Sequence, residues 1–130
     1  MPALPEPVPD QAPSSSPAHG RLSLLVLYTD RLEECRAFYS ALGLSFAKEK
    51  HGDGPEHHAA VLADGTVVEL YPVLSAPTGP VRLGLEVDGR RATPPLPPGR
   101  HVVTDPDGRK VEVRAHGAQA ADTPAGNGGA

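Results

Sequence analysis

The sequence is poor in the residues that usually announce a function. Its 130 residues include one cysteine, Cys35, and no tryptophan. A single thiol excludes a disulfide within the chain and suits a reducing compartment, so the expected location is the cytoplasm. Two Phe and three Tyr leave few platforms on which bases could stack. Basic charge is also thin. The 12 Lys and Arg face 13 Asp and Glu once the acidic residues near the ends (Glu6, Asp10 and Asp122) are set aside. Such a near-neutral domain has no run of cations to neutralise phosphates, which argues against nucleic acid as a partner. No apolar stretch is long enough to span a membrane. The N-terminus lacks the basic start and apolar core of a signal peptide.

The two ends are poor in apolar periodicity as well. Residues 1–20 hold six prolines among Ser, Ala and Gln, and residues 117–130 are mostly Gly, Ala, Thr and Asn. Neither can bury enough apolar area to offset its ordering entropy, so both are expected to be disordered tails. That leaves one domain over 21–116, large enough for a modest core.

Within the domain, Leu22 to Tyr28 reads as a buried strand. Asp30 followed by Glu33 suggests a capping box. Leu32, Cys35, Phe38, Tyr39 and Leu42 then recur at helical spacing, and Gly43 offers a left-handed stop. Leu44–Lys50, His57–Leu62 and Thr66–Tyr71 follow as strands, separated by the turn at Gly52–Pro55 and the hairpin at Asp64-Gly65. This gives β-α-β-β-β. Beyond a linker over 72–80, Leu83–Asp88 echoes Leu25–Asp30. Strands at His101–Thr104 and Arg109–Ala115 then flank Asp107-Gly108.

A second echo is stronger. P-D-G-R-K-V-E-V-R-A (106–115) repeats A-D-G-T-V-V-E-L-Y-P (63–72) at an offset of 43, aligning Glu69 with Glu112. From Asp30 to Glu69 is 39 residues, whereas from Asp88 to Glu112 is 24. The second unit is therefore 15 shorter. Its missing part is expected to be the helix, because four prolines between Gly89 and Gly99 forbid a regular one.

These words resemble the vicinal oxygen chelate superfamily, which includes glyoxalase I, bleomycin- and fosfomycin-resistance proteins and extradiol dioxygenases. The resemblance rests on the strand ending in Asp30, on A-F-Y-S-A-L-G-L (37–44), V-E-L-Y-P (68–72) and D-P-D-G-R-K-V-E-V (105–113), and on the H-G-D-G-P-E-H-H-A-A stretch (51–60). It implies an α+β fold of paired βαβββ modules forming a curved mixed sheet cup, with the second module lacking its helix. It also implies that a metal, where one is bound, takes last-strand ligands at Glu69 and Glu112. First-strand ligands would fall on Ser23 and on Val81 or Arg82, which are poor ligand types. No cofactor is therefore favoured, though a divalent metal on Glu69 and Glu112 is the alternative.

Strand alternation puts Glu69 on one side with Val67 and Tyr71, and Val68 and Leu70 on the side of the helix. Glu112 shares its side with Lys110 and Arg114, which are candidate partners for a glutamate or else are solvated on an edge strand. The expected ligand-binding residues are Glu69, Glu112, Arg82, Tyr71 and His57, with Arg82 pairing a glutamate in one central cavity. Only one of the adjacent His57 and His58 can face that cavity, as a hydrogen-bonding group, leaving the other at the surface. His51 lies in the turn. Cys35 is expected to be a buried, inert thiol. Two readings follow. One is a metal-free glyoxalase/bleomycin-resistance-like protein that sequesters a small molecule. The other is a metal-dependent lyase or dioxygenase using Glu69 and Glu112. A homodimer is expected, because a half-sheet without its helix would expose one face.

Overall fold

The computed structural model describes residues 19–117. The expected disordered tails at 1–20 and 117–130 therefore lie, but for residues 19, 20 and 117, outside the described residues. The first module comprises β1 (Leu24–Thr29), α1 (Leu32–Ala41), β2 (Phe46–Glu49), β3 (His57–Val61) and β4 (Val67–Pro72). The second comprises β5 (Leu83–Asp88), a short 3-10 turn (Gly89–Arg91), β6 (Gly99–Thr104) and β7 (Lys110–His116). They form a four-stranded sheet, β1-β4-β3-β2, and a three-stranded sheet, β5-β7-β6. In each, the first strand runs parallel to the last, and the remaining pairs are antiparallel. Among the described residues no helix is long and apolar enough to cross a membrane.

The repeated words build the same turn twice. Gly65 and Gly108 both adopt φ 91°, a left-handed conformation that a side chain rarely tolerates. Gly65 N donates to Leu62 O and Gly108 N donates to Asp105 O, each at 2.9 Å. Each turn feeds the strand that carries its module's glutamate. The second module lacks more than its helix, because β2 has no counterpart there either. Residues 89–98 span the gap.

The one α-helix among the described residues stops as expected at Gly43 (φ 112°), where Gly43 N and Leu44 N donate to the carbonyls of Ser40 and Tyr39. Its start differs from the expected capping box. Arg31 is the capping residue and receives no side-chain cap. The buried Thr29 hydroxyl accepts Arg31 N at 2.9 Å, while Asp30 is exposed and Glu33 is ion-paired with Arg36. Because β1 runs through Thr29 with that side chain inward, the nearest hydroxyl takes the place of the carboxylate.

One helix serves both sheets. Leu27, Ala60 and Leu70 of the first sheet, Cys35, Tyr39 and Leu42 of the helix region, and Val111 and Val113 of the second sheet form one core. The inner face of the second sheet is thus not left open by loss of its own helix, contrary to the sequence argument for a dimer. The proline-rich segment completes the cover: Leu96 packs against the core, and Thr93 N donates to Ala41 O at 2.8 Å, on the last residue of α1. Gly89 is required there, since a Cβ would lie 2.3 Å from Leu96 O. Cys35 is buried and its thiol is pushed up to about 11, chiefly by burial, as suits an inert core group.

A buried polar network fastens the helix to the second module. Asp105 and Arg109 are 3% and 4% exposed and pair through Arg109 Nε at 2.9 Å. Tyr39 Oη donates to Asp105 Oδ2 at 2.7 Å, and Arg109 also reaches Asp107 Oδ2 at 2.8 Å. Asp105 Oδ1 accepts the backbone N–H groups of Asp107 and Arg109, both at 2.9 Å. Removing only the phenol oxygen, in Tyr39→Phe, is expected to cost about 2 kcal/mol in chemical denaturation, the scale of a hydrogen bond to a charged group. A loss below roughly 0.5 kcal/mol would show that the bond contributes little to stability.

Candidate ligand-binding face

The alternation of β4 sorts its residues cleanly. Val68 and Leu70 are buried in the core, and Val67, Glu69 and Tyr71 are half-buried on the outward face. The neighbouring strands extend that face. Val26 and Ala59 flank Glu69, Leu24 and Val61 flank Val67, and Tyr28 lies beside Tyr71. Leu24 and Val61 are 50% and 70% exposed, so this apolar surface has no cover within the described residues. Glu69 is the carboxylate at its centre.

Three rings form a row at one end of this face. The His57 imidazole stacks on Tyr71 at 4.1 Å with planes 11° apart, and Tyr28 meets Tyr71 at 5.8 Å. His51 also meets His57, with ring centroids 5.2 Å apart and planes tilted by 36°. His57 is therefore on the same side as Glu69 and Tyr71. His58 points instead toward the helix, and at 8% exposure it is buried rather than at the surface as expected. It lies in the field of Glu33, Arg36 and Lys48, but burial is the main cause that pushes its pKa below the ordinary value.

Glu112 stands elsewhere. It lies on the outward face of the second sheet with Lys110 and Arg114, registered opposite Gly84 of β5 and Val102 of β6. β7 is the central strand of that sheet, not an edge. Arg100 is ion-paired with Glu112 and holds its carboxyl below the usual range, with Arg82 and Arg114 adding to the effect. Arg82 is exposed and belongs with Glu112 rather than Glu69. Because both sheets turn their inner faces to one core, the two glutamates point away from each other. A single chain does not bring them into one cavity.

That arrangement bears on the metal the resemblance implies. The positions registered opposite Glu69 and Glu112 are Val26 and Gly84, neither of which has a ligating atom. A guanidinium already neutralises Glu112, and a divalent ion beside it would be repelled by about 4 kcal/mol per unit charge at 4 Å. The residues present within one chain do not fit such a metal.

The sequence reading missed Arg100, Tyr28 and Glu49. Arg100 lies one residue before the expected start of β6, and Glu49 lies within the expected strand Leu44–Lys50, where nothing in the local pattern set it apart from Lys48 and Lys50. Tyr28 was legible, since it alternates with Val26 and Leu24 on β1. An inward cleft of about 460 Å³, lined by Leu25, Leu44, Val68, Leu83 and Leu85 among others, opens between the sheets away from both glutamates.

No family model and no curated protein matches the chain. Solved structures do. The glyoxalase/dioxygenase from Nostoc punctiforme superposes with a TM-score of 0.53 at 19% identity, over 87% of this chain and 98% of that one. The oxidase ChaP-H2 gives 0.52 at 15% identity over 86% and 100%. TnmS3, an antibiotic binding protein from Streptomyces sp. CB03234, gives 0.52 at 19% identity over 75% and 97%. The chain has the vicinal oxygen chelate fold. At these identities the likeness extends to the architecture, and what the protein does must come from its own residues.

Burial of His58 makes a pH prediction. Its folded pKa lies below the ordinary value of about 6.5, so its neutral form is favoured by folding. The sign follows from proton binding: below pH 6.5 the unfolded chain takes up a proton at His58 that the folded chain resists. Stability should therefore be full above that pH and fall as the pH drops toward the folded pKa. The Tm of His58→Leu is expected to decline less than wild type between pH 7.5 and pH 5.5. Parallel declines would assign the loss to other groups.

Proposed function

We propose that the protein binds a small molecule on the outward face of the first sheet, without a metal shared between Glu69 and Glu112. The observation that carries this reading is the uncovered apolar surface around one carboxylate. Leu24, Val26, Val61 and Val67 supply contact area, Tyr28 and Tyr71 supply flat faces, with the buried His57 backing Tyr71, and Glu69 supplies a negative charge. The complementary ligand is a partly planar, largely apolar molecule with a cationic or hydrogen-bond-donating group. The alternative, a metal-dependent lyase or dioxygenase using Glu69 and Glu112, is disfavoured by the absence of ligating atoms opposite either residue.

We further propose that the working unit is a homodimer in the cytoplasm. In it the Glu69 face of one chain meets the Glu112 face of the other, so that each site combines an apolar acidic wall with the basic wall of Arg82, Arg100 and Arg114. This replaces the argument from an open half-sheet with one from two incomplete outward faces.

The test is a thermal-shift screen of planar aromatic molecules that carry hydrogen-bond donors, neutral and cationic, followed by calorimetry on any binder. Tyr71→Ala and Glu69→Gln should each weaken binding about tenfold, the equivalent of 1.4 kcal/mol. Chelator should leave it unchanged, and light scattering should return a dimer. Equal binding by both variants would move the site elsewhere, and a clean monomer at micromolar concentration would remove the two-walled site. Loss of a stoichiometric divalent ion from Glu69→Gln and Glu112→Gln would instead establish the lyase or dioxygenase reading.

A further inference from the structure

Beside the binding face, at the outer edge of the first sheet, three side chains converge that the proposed function does not use. Glu49 ends β2, His51 follows in the turn, and His57 begins β3 opposite Glu49. One potential ligand atom from each lies within 4.8 Å of the others. His57 Nε2 and His51 Nε2 approach the same oxygen, Glu49 Oε1, at 3.3 Å and 3.4 Å.

The His57 ring is 1% exposed, and its Nε2 is buried without a hydrogen-bond partner. Its other nitrogen, Nδ1, is 3.2 Å from Pro55 O. A carbonyl can only accept, so Nδ1 carries a proton. Nε2 lies 3.3 Å from Glu49 Oε1 yet makes no hydrogen bond to it, so a buried nitrogen stands beside a carboxylate with nothing joining them. A metal ion held by both atoms would satisfy the two. A backbone carbonyl fixing the far nitrogen is also how metal-binding histidines are commonly oriented.

We propose that Glu49, His51 and His57 form a binding site for a borderline transition metal ion such as zinc, cobalt or nickel. The dimensions agree. Around an ion with bonds of about 2.0–2.1 Å, tetrahedral ligands lie roughly 3.3–3.4 Å apart. The two nitrogen–oxygen edges already have that length, and the exposed His51 can rotate to close the third. Two imidazoles and one carboxylate select this class over magnesium or calcium, which prefer all-oxygen shells. Three protein ligands leave a fourth position, open on the side of exposed His51. His57 links this site to the binding face through its stack on Tyr71. The site is separate from Glu69 and Glu112, and it does not depend on the ligand-binding reading.

The test uses the full chain, untagged and stripped with chelator, titrated with cobalt for its visible absorption and with zinc by calorimetry. The expected result is one saturable site with tetrahedral cobalt bands. His51→Ala, which changes an exposed residue, and Glu49→Gln should each weaken it about tenfold or more. Glu69→Gln and Glu112→Gln should leave it unchanged. Absence of a saturable site at micromolar protein overturns the proposal, as does binding that His51→Ala and Glu49→Gln leave intact. Binding lost only with Glu69→Gln or Glu112→Gln would also overturn it. His57→Gln is a supporting variant, read only where its far-ultraviolet circular dichroism matches wild type.

Discussion

The buried pair of Asp105 and Arg109 is the point on which the fold turns. Taking two charges out of water costs several kcal/mol each, and their attraction offsets this only when the remaining donors and acceptors are satisfied. Here Asp105 accepts from Arg109 Nε, from Tyr39 Oη and from two backbone N–H groups. The guanidinium reaches Asp107 as well. So complete a network specifies one arrangement, because any shift of the helix against the second sheet would strand a charge. Replacing either member alone would be far more disruptive than its share of packing suggests.

The internal repeat explains why the charges are there. At the offset of 43, Leu62 corresponds to Asp105 and Thr66 to Arg109, and both pairs close their turns through the same backbone bonds. The first module has a helix of its own to pack on its sheet, and an apolar Leu62 suffices at that turn. The second has none, and its turn must grip a helix belonging to the other module. Tyr39 is the grip: its ring is in the core and its hydroxyl is in the network. A domain can thus lose a helix and a strand and still close its core around the helix that remains.

Much of this was legible in the sequence, for reasons of periodicity. The strands and helix, the Gly43 stop, the paired Asp-Gly turns and the split of Glu69 from Val68 and Leu70 all follow from local pattern. What was not legible depends on which surface a face packs against. Alternation shows that Glu112 is opposite Val111 and Val113, but not that both sheets would turn their apolar faces toward one helix. The single shared cavity, the leading role of Arg100 at Glu112 and the surface placement of His58 all rested on that unseen choice. The Asp30 cap failed for a smaller reason: Arg31 rather than Asp30 stands at the cap position, and the hydroxyl of Thr29 accepts Arg31 N.

The two glutamates, equivalent in the repeat, solve their solvation problem differently. Glu112 is held by Arg100 on a face crowded with cations. Glu69 stands among Val26, Ala59 and Val67 with no ion pair among the described residues, half-buried and open to water. An unpaired carboxylate cut off from water loses several kcal/mol. Anything that covers this face must therefore bring a donor or a positive group to Glu69, whether it is a ligand or the basic face of a second chain. An apolar molecule of the right shape but without such a group would gain the contacts of Tyr71 and Val67 and lose them again to the stranded charge. In the proposed site, shape would be set by the aromatic row and selection made by the carboxylate.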